Sequence, residues 1–174
     1  MKEYINVWEY ASQILEAVSK GVLVTTQADG EVDAMTISWG TLGIEWKKPI
    51  FTVFVRQTRH TKSLLDKNPE FTINVPVGDC DKNILAVCGT KSGRDMDKFK
   101  TLHLTTVPGD TVSVPGIKEL PLTLECKVIY KQDQDLDSLN PPDRAYCYKV
   151  GTSDETNFHT AYYGEITAAY IIKD

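Results

Sequence analysis

Beyond residue 21 this chain is punctuated every ten residues or so by turn signals. Between the turns lie short runs rich in Val, Ile, Thr and aromatic side chains: Val22–Thr26, Val32–Trp39, Ile50–Arg56, Phe71–Val75, Thr111–Val114, Leu122–Lys131, Ala145–Gly151 and Tyr162–Ile172. Asp29-Gly30, Pro108-Gly109 and Pro115-Gly116 separate some of them, as expected between strands. Helical periodicity is confined to residues 7–19, where Val7, Trp8, Ala11, Ile14, Leu15 and Val18 share a stripe ending before Gly21, and to shorter pieces near Thr61–Asn68, Cys80–Val87 and Arg94–Lys100. Strands that do not alternate with long helices argue against a doubly wound parallel sheet. A mainly β barrel or sandwich of antiparallel strands, with a few inserted helices, is the expected architecture. Gln132–Asp143, polar and carrying Pro141-Pro142, reads as a loop.

At 174 residues the chain has the length of one domain, 1–174, able to bury a sizeable core. Its net charge of −5 weighs against general binding to nucleic acid or anionic membrane, so any anion site is a local exception. No apolar run approaches the roughly 20 residues of a membrane span, and Met1-Lys2-Glu3-Tyr4-Ile5 does not open like a secretory signal. Cys80, Cys88, Cys126 and Cys147 show no CxxC spacing, and His60, His103 and His159 are scattered. No metal site is expected, and reduced cysteines in a cytoplasmic protein are.

Three stretches carry the chemistry. In Asp33–Gly40, Met35, Ile37 and Trp39 face one way and Ala34, Thr36, Ser38 and Gly40 the other. A face of small residues with two hydroxyls lets a planar ring approach the backbone, though a half-buried strand with a solvated face looks the same. Arg56-Gln57-Thr58-Arg59-His60-Thr61-Lys62 follows a strongly β segment and leads into a helix for which Thr61 is a fair N-cap. Guanidinium groups at a helix start suit a phosphate, and a basic loop before a helix is the plainer alternative. Cys88-Gly89-Thr90-Lys91-Ser92-Gly93-Arg94-Asp95 lacks Walker spacing. It reads either as a loop wrapping a polar ligand or as a turn with a capping-box-like start at Ser92. GxGxxG is absent, so a Rossmann dinucleotide site is not supported.

Taken together and in order, these stretches resemble the flavin reductase-like family of FMN-binding split barrels, and most of all its flavoredoxin branch. Pro115-Gly116-Ile117-Lys118-Glu119, Leu124-Glu125-Cys126-Lys127-Val128 and the placing of His159 before Gly164-Glu165-Ile166 add to the likeness, which runs from about Trp8 to Ile172. The resemblance implies a six-stranded antiparallel Greek-key barrel and a homodimer binding FMN near the subunit interface. It implies that Thr36, Ile37, Ser38 and Trp39 lie along the flavin ring, and that Arg56, Thr58, Arg59 and Thr61 hold the phosphate and ribityl end. Gly89, Lys91, Ser92 and Gly93 would close over the cofactor, with Cys88 beside them, as a contact or as a small buried hydrophobe. His159 would face a nicotinamide or a phosphate as a pH-sensitive contact, with a plain surface or interface residue as the alternative. Gln57 and His60 stand where relatives often carry proline and tyrosine. The implied activity is NAD(P)H:flavin oxidoreduction. The alternative is a flavoredoxin-like carrier that keeps FMN bound and passes electrons to a redox partner protein.

Overall fold

The computed structural model describes residues 1–149, 151–153 and 156–173. In chain order its strands are β1 (Lys2–Tyr4), β2 (Val22–Ala28), β3 (Glu31–Ile37), β4 (Gly40–Glu45), β5 (Lys48–Arg56), β6 (Glu70–Val75), β7 (Thr106–Val107), β8 (Gly116–Ile117), β9 (Leu122–Asp133) and β10 (His159–Ile172). Helices are α1 (Ala11–Lys20), α2 (His60–Leu65), α3 (Lys82–Thr90), α4 (Lys98–Thr101) and α5 (Pro141–Cys147). Short 3-10 turns lie at Val7–Tyr10 and Leu136–Ser138.

One antiparallel sheet dominates, in the order β3-β2-β6-β9-β10-β5-β4. β5 pairs with β10 from His159 to Glu165, and β1 pairs further along at Tyr170–Ile172. β3 and β4, at opposite ends of this path, are joined by Ser38 and Trp39 alone. Laid flat, seven strands would put these edges about 29 Å apart. Three residues of chain reach at most about 11 Å. The sheet therefore curls until its edges nearly meet, and Ser38-Trp39 marks the opening between them.

Alternation along the strands sorts the core. Val22, Val24, Met35 and Ile37 point into the barrel with Phe51, Val53, Phe71 and Ile73. On the other face, Leu23 and Ala34 pack beneath Ile84 and Cys88 of α3, with Ile117 and Leu120. β2 is thus covered on both sides, which explains its unbroken Val22-Leu23-Val24 run.

Six of the expected strand segments form, as β2, β3, β5, β6, β9 and β10; β4 and β1 enlarge the sheet to eight strands. Two others do not form. Thr111–Val114 runs as a bent segment, because side chains take the place of a partner strand: the Thr111 amide donates to Glu125 Oε2 (2.6 Å) and the Ser113 amide to Glu70 Oε2 (2.7 Å). Ala145–Cys147 closes helix α5, which starts at Pro141 with Asn140 accepting from the Asp143 amide (3.1 Å); Val150 lies outside the described residues. Of the loop expected at Gln132–Asp143, Gln132 and Asp133 end β9, Leu136–Ser138 form a 3-10 turn, and residues 141–143 open α5. Along the first helical stretch only Val7, Ile14 and Val18 are buried, while Trp8 and Leu15 remain exposed. In place of a helix over Arg94–Lys100 there is a turn, then α4, capped by Asp97 accepting from the Lys100 amide (3.0 Å).

Candidate functional site

A two-lobed cleft opens where the barrel splits. One lobe, of ≈ 260 Å³, is lined by Arg56, Thr58, Arg59, Thr61, Lys91, Ser92 and Gly93, together with Asp33, His60, Thr90, Lys98 and Asn157. The other, of ≈ 170 Å³, is lined by Thr36, Ile37, Ser38, Trp39, Phe54 and His159. Met35, Arg56 and Arg59 line both, so the lobes adjoin. The fold thus brings the three stretches to one place. Two residues stand apart. Cys88 is fully buried under β3, its thiol pushed up to about 11, first by desolvation. Gly89 acts through its carbonyl, which accepts from Arg59 Nη1 (3.1 Å).

The two guanidiniums are positioned from different sides. Arg56 ends β5, donates from Nη2 to the Cys147 carbonyl (2.9 Å), and lies 5.2 Å from the Tyr148 ring. Arg59 is half-buried. Desolvation, then the charge of Arg56, pull its pKa below the ordinary arginine value, and Asp33 opposes them. Thr58 is tied by its amide and hydroxyl to Asn157 Oδ1, at 3.2 Å each, and its carbonyl accepts from Arg94 Nη1 (3.0 Å). The covering segment is thereby bonded back to the basic stretch.

Thr61 does not cap α2. The helix begins at His60, Arg59 occupies the cap position without a side-chain bond, and the buried Thr61 hydroxyl donates to Asp33 Oδ2 (2.8 Å). Asp33 Oδ1 meets Lys98 Nζ at 3.0 Å, and Lys98 also donates to the Ala34 carbonyl (2.7 Å). Both residues of this pair are buried. Sequence reasoning left Asp33 and Lys98 out of the site. Alternation did carry a signal, since Asp33 shares the inward face of Met35 and Ile37, where a carboxylate needs a cation.

Thr36 lines the cleft, but its proton is committed: the hydroxyl donates to the Leu85 carbonyl of α3 (2.6 Å). The small-residue face it shares with Ala34 admits a helix, which leaves Ser38 as the free hydroxyl of the stretch. His159 lines the cleft and is buried, so it is not the plain surface residue of the alternative reading. Desolvation first, then Arg56 and Arg59, push its pKa down to about 4, so its ring is neutral at pH 7. Its Nδ1 hydrogen-bonds the Tyr148 hydroxyl. Gln57 and His60 are held by their own bonds. The Gln57 amide donates to the Phe158 carbonyl (3.2 Å), a bond proline could not make, and His60 Nε2 meets Glu31 Oε1 at 2.6 Å.

A curled antiparallel sheet whose split is lined by two arginines, hydroxyl groups and an aromatic pair defines the class by its fold: a split β-barrel with a basic cleft. The family model described as "Flavin reductase like domain" matches residues 16–174, and the chain belongs to that family. An uncharacterized protein of Archaeoglobus fulgidus is 33% identical over 127 residues, which cover 73% of this chain and 67% of that one. The fold is similar to the flavoredoxin of Desulfovibrio vulgaris (Miyazaki F), at a TM-score of 0.66 and 24% identity, covering 88% of this chain and 69% of that one. It is also similar to an FMN-binding domain of a flavin reductases-like enzyme from Shewanella baltica OS155, at a TM-score of 0.65 and 15% identity, covering 98% and 77%. Among the described residues no helix is long and apolar enough to cross a membrane, and no group of three or more His, Cys, Asp or Glu could hold a metal ion.

Proposed function

We propose that this chain is an FMN-binding flavoprotein acting as an NAD(P)H:flavin oxidoreductase. The observation that carries the reading is the pairing of Arg56 and Arg59 at the cleft. Both guanidinium-bearing residues line both lobes of the cleft, in a protein of net charge −5, and after burial the charge of Arg56 also pulls the Arg59 pKa down. A phosphate there would relieve the repulsion and accept charge-assisted hydrogen bonds.

The residues fit the group. Arg56, Arg59 and Ser92 would hold the phosphate end, with Thr58 tied to Asn157 beside them; Lys91, exposed at the rim, adds a third cation. Ser38 and neighbouring backbone amides would donate to the ring edge, and Trp39 with the neutral His159 forms an aromatic wall beside it. Bound there, FMN would supply the redox chemistry, accepting a hydride from NAD(P)H. The protein's part is then to bind, orient and exclude water, for which no strong acid or base is required.

A homodimer belongs to this reading. Trp46, Tyr130 and Tyr163 form an edge-on cluster with centroids 5.3–6.1 Å apart, and Ile44 (73% exposed) on β4 and Ile129 on β9 are exposed as well. An exposed apolar patch of this kind suits burial against a second copy. Light scattering on the purified protein tests it, and a monomer at working concentration would count against it.

The activity is tested by loading the protein with FMN and adding NADH or NADPH without oxygen. Rapid bleaching of the flavin absorption is the expected result. Bleaching only by dithionite or by a reduced partner protein would point to an electron carrier, and failure to bind FMN would overturn both.

A further inference from the structure

We infer that the buried Asp33–Lys98 pair, bridged to Thr61, is the positioning device of the anion clamp and sets a preference for phosphorylated over unphosphorylated flavin. The inference rests on the flavoprotein reading and deepens it.

Each of the three ligand-binding stretches meets this pair. Asp33 belongs to β3. Its Oδ2 accepts from Thr61, one helical step beyond the Arg59–His60 junction (2.8 Å), and its Oδ1 binds Lys98 just past the covering segment (3.0 Å). Lys98 returns to β3 through the Ala34 carbonyl (2.7 Å). Gly93 closes the arrangement. A Cβ there would lie 2.6 Å from Asp33 Oδ1 and 2.7 Å from His60 Cδ2, so the covering backbone descends onto the carboxylate where only glycine fits. Asp33 also favours the charged form of Arg59, against burial and Arg56.

Both residues of the pair are almost wholly shielded, at 2% and 3% exposure. A buried ion pair is poor at stabilising a fold, because desolvation consumes most of the attraction, and apolar residues of similar size often do as well. Its directional bonds do something an apolar contact cannot. They tie β3 to the first turn of α2, two residues past Arg59, and to α4, five residues past the Gly93 contact, and so constrain where the cations converge. The pair touches the phosphate-side lobe and not the lobe beside Trp39. Loosening it should therefore harm the phosphate contact and spare the ring contact.

The test is parallel titration of the full chain with FMN and with riboflavin, which lacks the phosphate. Wild-type protein should prefer FMN. In the double variant Asp33→Asn/Lys98→Met, which buries no lone charge, the FMN dissociation constant should rise about tenfold while that for riboflavin changes less than about twofold. Thr61→Val, a milder change that keeps the ion pair, should cost FMN about threefold, and Thr61→Ser should restore the wild-type ratio. Should the double variant not fold, the Thr61 pair carries the test. An unchanged FMN-to-riboflavin ratio, or equal loss for both flavins, would make the ion pair a scaffold and overturn the inference while leaving the flavoprotein reading intact. Wild-type protein that binds neither flavin would overturn both.

Discussion

The Trp39 indole lies against the His159 imidazole, with ring centroids 5.0 Å apart and planes inclined at 43°. Behind His159 stands Tyr148, bonded to its Nδ1, and beside Tyr148 the guanidinium of Arg56. The junction between the barrel's edges is thereby coupled to the segment that follows α5.

That stack makes stability pH-dependent. Folding pushes the His159 pKa from 6.5 down to about 4, so between those values the unfolded chain binds a proton that the folded chain does not. The contribution is complete above about pH 6.5 and is lost as the pH falls toward 4, reaching about 3 kcal/mol. Urea unfolding at pH 7 and pH 5 should show the wild type losing more stability than His159→Asn. Equal losses would mean that His159 titrates normally in the folded protein.

Arg59→Ala should weaken FMN binding by about 1.5–3 kcal/mol, as for loss of a charge-assisted bond, and leave riboflavin binding nearly unchanged. Arg56→Ala should do this and also lower stability, because Arg56 holds the Cys147 carbonyl and packs on Tyr148. Calorimetric titration and thermal melting separate the two. Wild-type FMN affinity in Arg59→Ala would place the phosphate elsewhere.

The β2–β3 hairpin was readable because alternation and turn chemistry agree: Asp29 and Gly30 take the positive φ angles, 52° and 80°, that such a dipeptide favours. β4 was not, because its hairpin turns at Trp46 and Lys47, with φ of 50° and 60°, without a glycine to mark it. Helix α5 did carry a signal, Asn140 before two prolines, which the polar composition of the region obscured. The cations of the cleft could be seen locally, since they cluster in the sequence. Lys98 could not, since its partner Asp33 is far away in the chain and only folding brings them together.

Cys88 should be inert in the folded protein. Its thiol is fully buried, is pushed up to about 11 and packs against Ile84 and Ala34. With iodoacetamide near pH 8, the half-buried Cys80 and Cys147 should be labelled first, and Cys88 and Cys126 only after unfolding. Peptide mass spectrometry reads the order. Early labelling of Cys88 would mean that α3 lifts readily from β3.

Gly164→Ala should destabilise the barrel. The residue adjoins a register shift between β10 and β9, where an added Cβ would lie 2.5 Å from Phe71 Cζ, 2.6 Å from Phe71 Cε1 and 2.8 Å from Cys126 Cβ. Phe71 is fully buried in the barrel core and has nowhere to swing. Overpacking of this kind costs about 1–3 kcal/mol. The clashing atoms belong to the far side of the Phe71 ring, so adding Phe71→Leu should recover part of the loss, making the pair non-additive. Urea midpoints of the two single variants and the double variant measure this. Simple additivity of the two losses would show that the strand, and not the ring, yields to the extra methyl group.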